Sequence, residues 1–232
     1  MTAEVHHDQM KYAIGQSVPR TEDPKLLKGE GKYTDDLNLP DQVYAAIVRS
    51  PVAHGIIKDI NVSDAKEMPG VLLIVTGYDL ENYGNLPCGM QIKSKDGSPL
   101  KKPNRPSLVT DKVRFVGDPV ACVIAQTPDA AKDAAELVSI DIDILPATTL
   151  ATEAAMPGAP VLYDDVAGNI ALDFQFGEPD TVDKAFKAAH HISRVDIRNN
   201  RIVVAPMEPR SAIAHYNNET DCFTMRLGCQ GT

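Results

Sequence analysis

Residues 228–232, Gly-Cys-Gln-Gly-Thr, combine two glycines with a polar side chain that could meet a ligand. Before them, residues 222–227 alternate apolar and polar side chains, which predicts a half-buried β-strand. A small, polar loop at the end of a strand lets a backbone approach a ligand closely. The pattern indicates that Gln230 is presented from the end of a strand, although a frayed polar segment would have the same composition.

A pair of opposite charges forms a second candidate. Glu208 and Arg210 stand two residues apart in the segment APMEPRSAIA, so an extended backbone would place both on one side. Pro206 and Pro209 stiffen this segment, which suits a backbone held in a fixed path rather than in a sheet ladder. Taken alone, the pair is better explained as a surface ion pair that contributes about 0–1 kcal/mol.

The cysteines and histidines show no spacing typical of a metal site. Cys88, Cys122, Cys222 and Cys229 are far apart and form no C-x-x-C motif, and none of the histidines has metal-ligand spacing. A structural zinc or iron–sulfur site within this chain is therefore not expected. We predict reduced thiols, because disulfides are rare in cytosolic proteins.

Composition and charge restrict the class of protein. With 43% hydrophobic and 24% charged residues, the chain of 232 residues has the composition of a soluble globular protein with one large or two modest domains. The net charge of −9 argues against a nucleic-acid partner or an anionic membrane surface. The N-terminus lacks the apolar region of a signal peptide, and no segment resembles a membrane span. We therefore expect a cytoplasmic protein.

The elements that must position these residues begin with a sheet-rich first half. Strands are predicted over residues 42–50, 56–62 and 71–77, the last of them buried, and Ser63 is predicted to cap a short helix. Residues 84–107 hold four prolines and several lysines, so they are predicted to form a long surface loop. Partner contact and plain mobility are both open explanations for this loop.

Residues 112–147 give the clearest local signals. Two strands are predicted on either side of residues 117–119, followed by a helix and then a strand with period two. Thr127 is the predicted N-cap of the helix and Pro128 its first residue. The order of the strands in their sheet stays open at this point.

The second half has more predicted strands than helices. Strands are predicted over residues 169–177 and 192–198, and a helix over residues 178–191 carries an apolar stripe. The extended segment with Glu208 and a closing hairpin follow. Because so few helices cannot cover so many strands, we infer that much of this sheet is completed by other polypeptide.

Four segments, taken in order, carry a resemblance to a known family. They are GEGKYTDDLNLPDQVYAAIVRSPVAHGII, RFVGDPVACVIAQTPDAAKDAAELVSIDIDILPA, FGEPDTVDKAFKAAHHI and VVAPMEPRSAIAHY. From about Tyr12 the chain resembles the N-terminal part of the molybdenum-binding subunit of the xanthine dehydrogenase/aldehyde oxidase family, in its bacterial multi-subunit type, which includes aerobic carbon monoxide dehydrogenase. The resemblance implies an α+β fold in which an a/b hammerhead domain is followed by the start of a molybdopterin-binding domain.

The resemblance also implies domain boundaries. An N-terminal arm would cover residues 1–27, the a/b hammerhead domain residues 28–147, and a linker residues 148–160. Residues 161–232 would form the first, incomplete part of the molybdopterin-binding domain. Since members of the family continue for several hundred residues, the chain is expected to be one piece of a split subunit or a truncated product.

For the site, the resemblance implies that Gln230 donates a hydrogen bond to the apical oxo ligand of the molybdenum, with Gly231 in the same cofactor-binding loop. Gln230 would orient and tune the metal without being one of its ligands. No catalytic residue is assigned to this chain, because the glutamate that acts as general base lies in the part of the family's sequence that is absent here. The chain alone is expected to be inactive.

The implied cofactor is molybdopterin with molybdenum, in the cytosine dinucleotide form and shared with other chains. The implied partners are the remaining portion of the molybdenum subunit, an FAD subunit and a [2Fe-2S] subunit. Together they would oxidise a small substrate (a heterocycle, an aldehyde or CO) with water as the oxygen source, and this chain would help form the substrate funnel. The alternative is a non-catalytic assembly or interaction module that retains the hammerhead fold. The unfinished second domain and the near-metal loop favour the enzyme component.

Overall fold

The computed structural model describes residues 19–200 and 202–229. In chain order the helices are α1 (Asp23–Leu27), α2 (Ser63–Lys66), α3 (Pro128–Glu136), α4 (Ala151–Ala154) and α5 (Pro179–Ala188), and the strands are β1 (Tyr44–Arg49), β2 (Gly55–Asn61), β3 (Val71–Thr76), β4 (Lys112–Val113), β5 (Pro119–Ala125), β6 (Ser139–Ile144), β7 (Ala212–Asn217) and β8 (Cys222–Leu227). Three 3₁₀ turns cover Thr34–Asp36, Gly77–Tyr83 and Ala167–Asn169. The predicted α+β class is confirmed.

The chain divides into two compact units, one of residues 41–196 and one of residues 1–40 together with 197–232. These units follow packing within the chain, and the domain boundaries given above stay a prediction. Within the described residues, none of the helices has the length and apolar content that crossing a membrane requires.

The larger unit contains two three-stranded antiparallel sheets, with the strand orders β1-β5-β3 and β4-β2-β6. The central strand β5 is the most deeply buried, because α2 and α3 pack with the first sheet and the second sheet lies near its start. One core cluster joins the first sheet to the two helices, and the other lies around β2 and β4. Their buried members are Val48, Ala65, Ile74, Ala121, Val123, Ala134 and Val138 in the first, and Ile57, Val109, Val113 and Val120 in the second.

The helix α3 forms as its sequence predicts. Thr127 is its N-cap, with Oγ1 accepting a hydrogen bond of 3.1 Å from the backbone N–H of Ala130, and Pro128 opens the first turn. Ala131 and Ala134 are buried, so their small side chains let the helix axis lie close to the sheet. The strands on either side of this helix, β5 and β6, belong to different sheets.

Three predictions for the larger unit were wrong in detail. Ser63 is not an N-cap, since helix α2 starts at Ser63 itself and the Asn61 side chain accepts the Ser63 N–H at 2.9 Å. The strand β3 is not fully buried: as an edge strand with one covered face it buries only Ile74. The strand before residues 117–119 shrinks to the two residues of β4, because the chain then turns away into a loop.

The strands predicted over residues 169–177 and 192–198 do not form. Residues 171–173 instead lie against the long loop, where the backbone N–H groups of Lys95 and Lys101 donate to the carbonyls of Asp173 and Ala171 at 2.8 and 3.0 Å. Strands need neighbouring strands, and the part of the chain that the structure describes supplies none here.

The helix α5 forms within the predicted range, but its apolar stripe stays exposed. Val182 and Phe186 are each about half exposed to solvent. Among the described residues from 148 onwards, Val166 is the only buried apolar side chain. An amphipathic helix gains stability mainly by burying its apolar face, and within the described residues this face of α5 stays about half exposed.

The smaller unit is built around the antiparallel hairpin of β7 and β8, in register from Ala212↔Leu227 to Asn217↔Cys222. The rings of Tyr216 and Phe223 lie 4.6 Å apart across the strands. The strand β8 is present as predicted, but it is not half-buried, since all six residues are exposed. A two-stranded hairpin offers no second layer for an apolar face to pack on.

Candidate functional site

Three segments that are distant in sequence meet where the β7–β8 hairpin opens. The Glu208 carboxylate accepts hydrogen bonds from the backbone N–H and the hydroxyl of Thr34, at 3.3 and 3.4 Å. The same carboxylate lies against Gly228, with Oε1 3.0 Å from the point that a Cβ on Gly228 would occupy. The structure therefore joins the two candidate motifs of the sequence, the segment with Glu208 and the loop that follows β8.

The hairpin register explains why these residues meet. Continuing the ladder by one residue beyond Ala212↔Leu227 places Ser211 opposite Gly228. The chain bends at residues 207 and 208, which returns the Glu208 side chain toward the end of β8. Ser211 Oγ is a buried polar atom without a hydrogen-bond partner among the described residues. The open end of the hairpin thus holds a carboxylate, a glycine backbone and an unsatisfied hydroxyl.

Glu208 and Arg210 do not form the surface ion pair that their spacing suggested. Arg210 is exposed while Glu208 is half-buried, and within the described residues no salt bridge joins them. The bend at residues 207 and 208 replaces the fully extended geometry that a shared side requires. The carboxylate instead contacts Thr34, a residue 174 positions earlier in the chain.

Gln230 and Gly231 lie outside the described residues, so their placement beside a cofactor stays a prediction. The described chain leads up to them through Gly228 and the exposed Cys229.

Within the described residues, no group of three or more His, Cys, Asp and Glu side chains is arranged to hold a metal ion. Within the described residues no disulfide bond joins any two of the four cysteines. Burial raises the pKa of the Cys122 thiol, which keeps that sulfur in its neutral form. A metal held by its own organic cofactor needs no such group of side chains.

A second cluster, around Arg114, is one that sequence reasoning missed. The Arg114 guanidinium lies over the Tyr163 ring at 4.6 Å, and it donates to the carbonyls of Leu162 and Lys112 at 3.1 and 3.0 Å. The buried Asp118 accepts the Arg114 backbone N–H at 2.9 Å. Burial raises the pKa of Asp118, and its contacts with Arg114 offset only part of that effect. The cluster ties residues 162–163 to the loop before β5, and the segment RFVGDP is its only local signal.

Comparison with known proteins gives two matches in chain order. Residues 28–146 match the a/b hammerhead domain of aldehyde oxidase and xanthine dehydrogenase, and residues 162–232 match a molybdopterin cofactor-binding domain.

Individual relatives agree with these matches. The chain is 38% identical over 219 residues to the nicotine 6-hydroxylase large subunit of Paenarthrobacter nicotinovorans, covering 94% of this chain and 26% of the relative. It is 30% identical over 215 residues to the carbon monoxide dehydrogenase large chain of Afipia carboxidovorans, covering 87% of this chain and 25% of the relative. The crystal structure of quinoline 2-oxidoreductase from Pseudomonas putida 86 superposes with a TM-score of 0.76 at 32% identity, over 95% of this chain and 27% of that one. The chain thus spans about a quarter of the length of these relatives.

Proposed function

The chain belongs to the xanthine dehydrogenase/aldehyde oxidase family, and from this premise we propose that it is one component of a multi-subunit molybdenum hydroxylase. The enzyme would oxidise a small substrate, such as a heterocycle, an aldehyde or CO, with water as the oxygen source. The observation that carries the proposal is the order of two matched domains, a hammerhead domain followed by a molybdopterin-binding domain. The full activity would require polypeptide beyond the matched quarter of the relatives' length.

The residues at the hairpin opening are compatible with a bound molybdopterin. Within the described residues the Ser211 hydroxyl has no hydrogen-bond partner, so it could meet a polar group of the cofactor. When bound, the cofactor supplies the two-electron redox chemistry of the metal. In this proposal Gln230 donates a hydrogen bond to the metal centre, and Gly231 lets the backbone come near it. The chain would contribute no catalytic acid or base and would form part of the wall of the substrate funnel.

The exposed apolar residues of the second half favour the proposal that the chain binds another polypeptide. Phe176, Val195, Val203 and Phe223 are among those whose side chains lie largely in solvent. Phe176 and Val195 lie in one compact unit and Val203 and Phe223 in the other. Exposed apolar side chains in each unit favour contact with other polypeptide. We propose that the remaining portion of the molybdenum subunit covers these apolar residues. An FAD subunit and a [2Fe-2S] subunit would complete a cytoplasmic enzyme. The cofactor would be the cytosine dinucleotide form of molybdopterin.

A non-catalytic interaction module that only retains the hammerhead fold is the second candidate. Such a module has no need of a molybdopterin cofactor-binding domain, yet residues 162–232 match one. The exposed apolar residues fit both candidates. The test is purification of the chain from its native host through an affinity tag, followed by native mass spectrometry and molybdenum analysis. We expect molybdenum, FAD and iron to co-purify with additional polypeptides. Recovery of the chain with protein partners but no molybdenum and no pterin would favour the interaction module instead.

A further inference from the structure

We propose that Glu208 is a positioning residue, which fixes the path of the backbone from the end of β8 into the loop that carries Gln230. The brace that it forms consists of Thr34, Glu208 and Gly228. The effect of this brace on a bound cofactor rests on the proposed function. Its effect on the backbone around Gly228 does not.

The first arm of the brace is the contact with Thr34. One residue donates both bonds, through its backbone N–H at 3.3 Å and its hydroxyl at 3.4 Å. Thr34 opens a 3₁₀ turn that is itself closed by reciprocal bonds, from the Tyr33 N–H to the Asp36 carboxylate at 2.9 Å and from the Asp36 N–H to the Tyr33 carbonyl at 3.1 Å. Two donors in a fixed turn hold a carboxylate in one orientation better than one donor on a flexible side chain.

The second arm is the contact with Gly228. All three atoms of the Glu208 carboxyl group lie 3.0–3.1 Å from the position of a Cβ on Gly228, which is shorter than an ordinary van der Waals contact. Gly228 does not have a positive φ, so backbone conformation does not require glycine at this position. The close approach of the carboxylate favours it, because an added methyl group would push the Glu208 carboxyl group aside by a few tenths of an ångström. The small size of the glycine and the position of the glutamate are therefore coupled.

The brace acts just beyond the last paired residues of the hairpin, where hydrogen bonds between the strands no longer fix the backbone. The β7–β8 ladder ends at Ala212↔Leu227, one residue before Gly228. Pro209 restricts its own backbone and that of Glu208, so the segment that carries the carboxylate has less freedom. Gln230 follows two residues after the braced glycine. In an active site a misplacement of about 1 Å reduces rates by about 100-fold, so the position of this backbone matters to any group that Gln230 meets.

The first experiment uses the full chain and needs no metal. Hydrogen exchange is measured by mass spectrometry over residues 224–232 and 33–37 in Glu208→Gln, Glu208→Ala, Gly228→Ala and the double variant Glu208→Ala/Gly228→Ala. Glu208→Ala should speed exchange in both segments by about tenfold, because hydrogen bonds to a charged group are typically worth that factor. Glu208→Gln, which keeps the size but not the charge, should give a smaller change. Thr127→Ala is the control, since it removes a cap in the other unit and should leave both segments unchanged.

The double variant makes the test specific. Gly228→Ala alone should speed exchange because its new methyl group displaces the carboxylate. In the Glu208→Ala background that methyl group enters space that the carboxylate has left, so the double variant should exchange no faster than Glu208→Ala alone. Additive effects of the two substitutions, or unchanged exchange over residues 224–232 in Glu208→Ala, would overturn the brace.

A second measurement separates the brace from the proposed function. In the assembled, molybdenum-containing complex, Glu208→Gln should alter the Mo(V) electron paramagnetic resonance spectrum at unchanged molybdenum content, while Thr127→Ala leaves the spectrum as it is. If the exchange effects of Glu208→Ala and Gly228→Ala are non-additive but the spectrum is unaltered, the brace acts only on the hairpin, and its effect at the cofactor is refuted. A complex without molybdenum would refute the proposed function and leave the exchange result standing.

Discussion

Two valines, one buried and one exposed, test which part of the chain contributes to the free energy of unfolding. Val123 is 0% exposed in the core cluster of the first sheet, and Val203 is 92% exposed in the segment before β7. Valine to alanine removes two methyl groups, which at about 0.8 kcal/mol each gives about 1.6 kcal/mol of lost transfer energy at a buried site. The cavity left behind adds to this, so Val123→Ala should lower the free energy of unfolding by about 2–3 kcal/mol. Val203→Ala should change it by less than about 0.5 kcal/mol in the isolated chain.

The assay is urea unfolding of the full chain followed by far-UV circular dichroism, since the sequence contains no tryptophan. The midpoint for Val123→Ala should fall with an unchanged slope. If Val203→Ala destabilises the isolated chain as much as Val123→Ala, the second half buries its apolar residues by itself and the reasoning fails. In a purified complex Val203→Ala should weaken association with the partner polypeptide.

Three further predictions concern single side chains. Thr127→Ala should lower the free energy of unfolding by about 1 kcal/mol in urea titration through loss of the N-cap of α3, and Thr127→Ser should retain most of it. Burial raises the pKa of Asp118 above its ordinary 3.8, so its contribution to stability is fully present below that value and is lost as the pH rises through the folded-state pKa. The unfolding free energy of Asp118→Asn, relative to that of the parent chain, should therefore be higher at about pH 7 than at about pH 4, a range chosen from the usual Asp pKa. Urea titration at both pH values measures it, and an equal difference between variant and parent at the two pH values would contradict the prediction. Gln230→Ala in the assembled enzyme should lower turnover by roughly 10- to 100-fold with molybdenum content retained, and wild-type turnover at full molybdenum content would rule out its near-metal role.

The sequence predicts best where the signal is local. The N-cap and the first proline of α3 lie side by side and act within one turn, so the helix start follows from residues 127 and 128 alone. Ser63 shows the limit of such signals, since the same residue type just inside a helix gives the same pattern as one at its cap.

The failures come from partners that no local window contains. The apolar alternation in residues 169–177 and 192–198 is typical of strands, but a strand forms only beside another strand, and the described chain offers none there. The contact between Thr34 and Glu208 spans 174 residues, and no spacing rule indicates it. The same holds for Gly228, whose small size suits a nearby carboxylate that sequence alone does not place there.

The strand order of the first sheet also determines when that sheet can exist during synthesis. The central strand β5 pairs with β1 through Tyr44↔Ala125 and with β3 through Val71↔Ala125, so both outer strands are made before the strand that joins them. At a synthesis rate of about 5–20 residues per second, Ala125 is added roughly 4–16 s after Tyr44. During that interval β1 is an open edge that other chains could pair with. Ala45 and Ala46 lower the strand propensity of β1 and so reduce its risk of aggregation before β5 emerges from the ribosome.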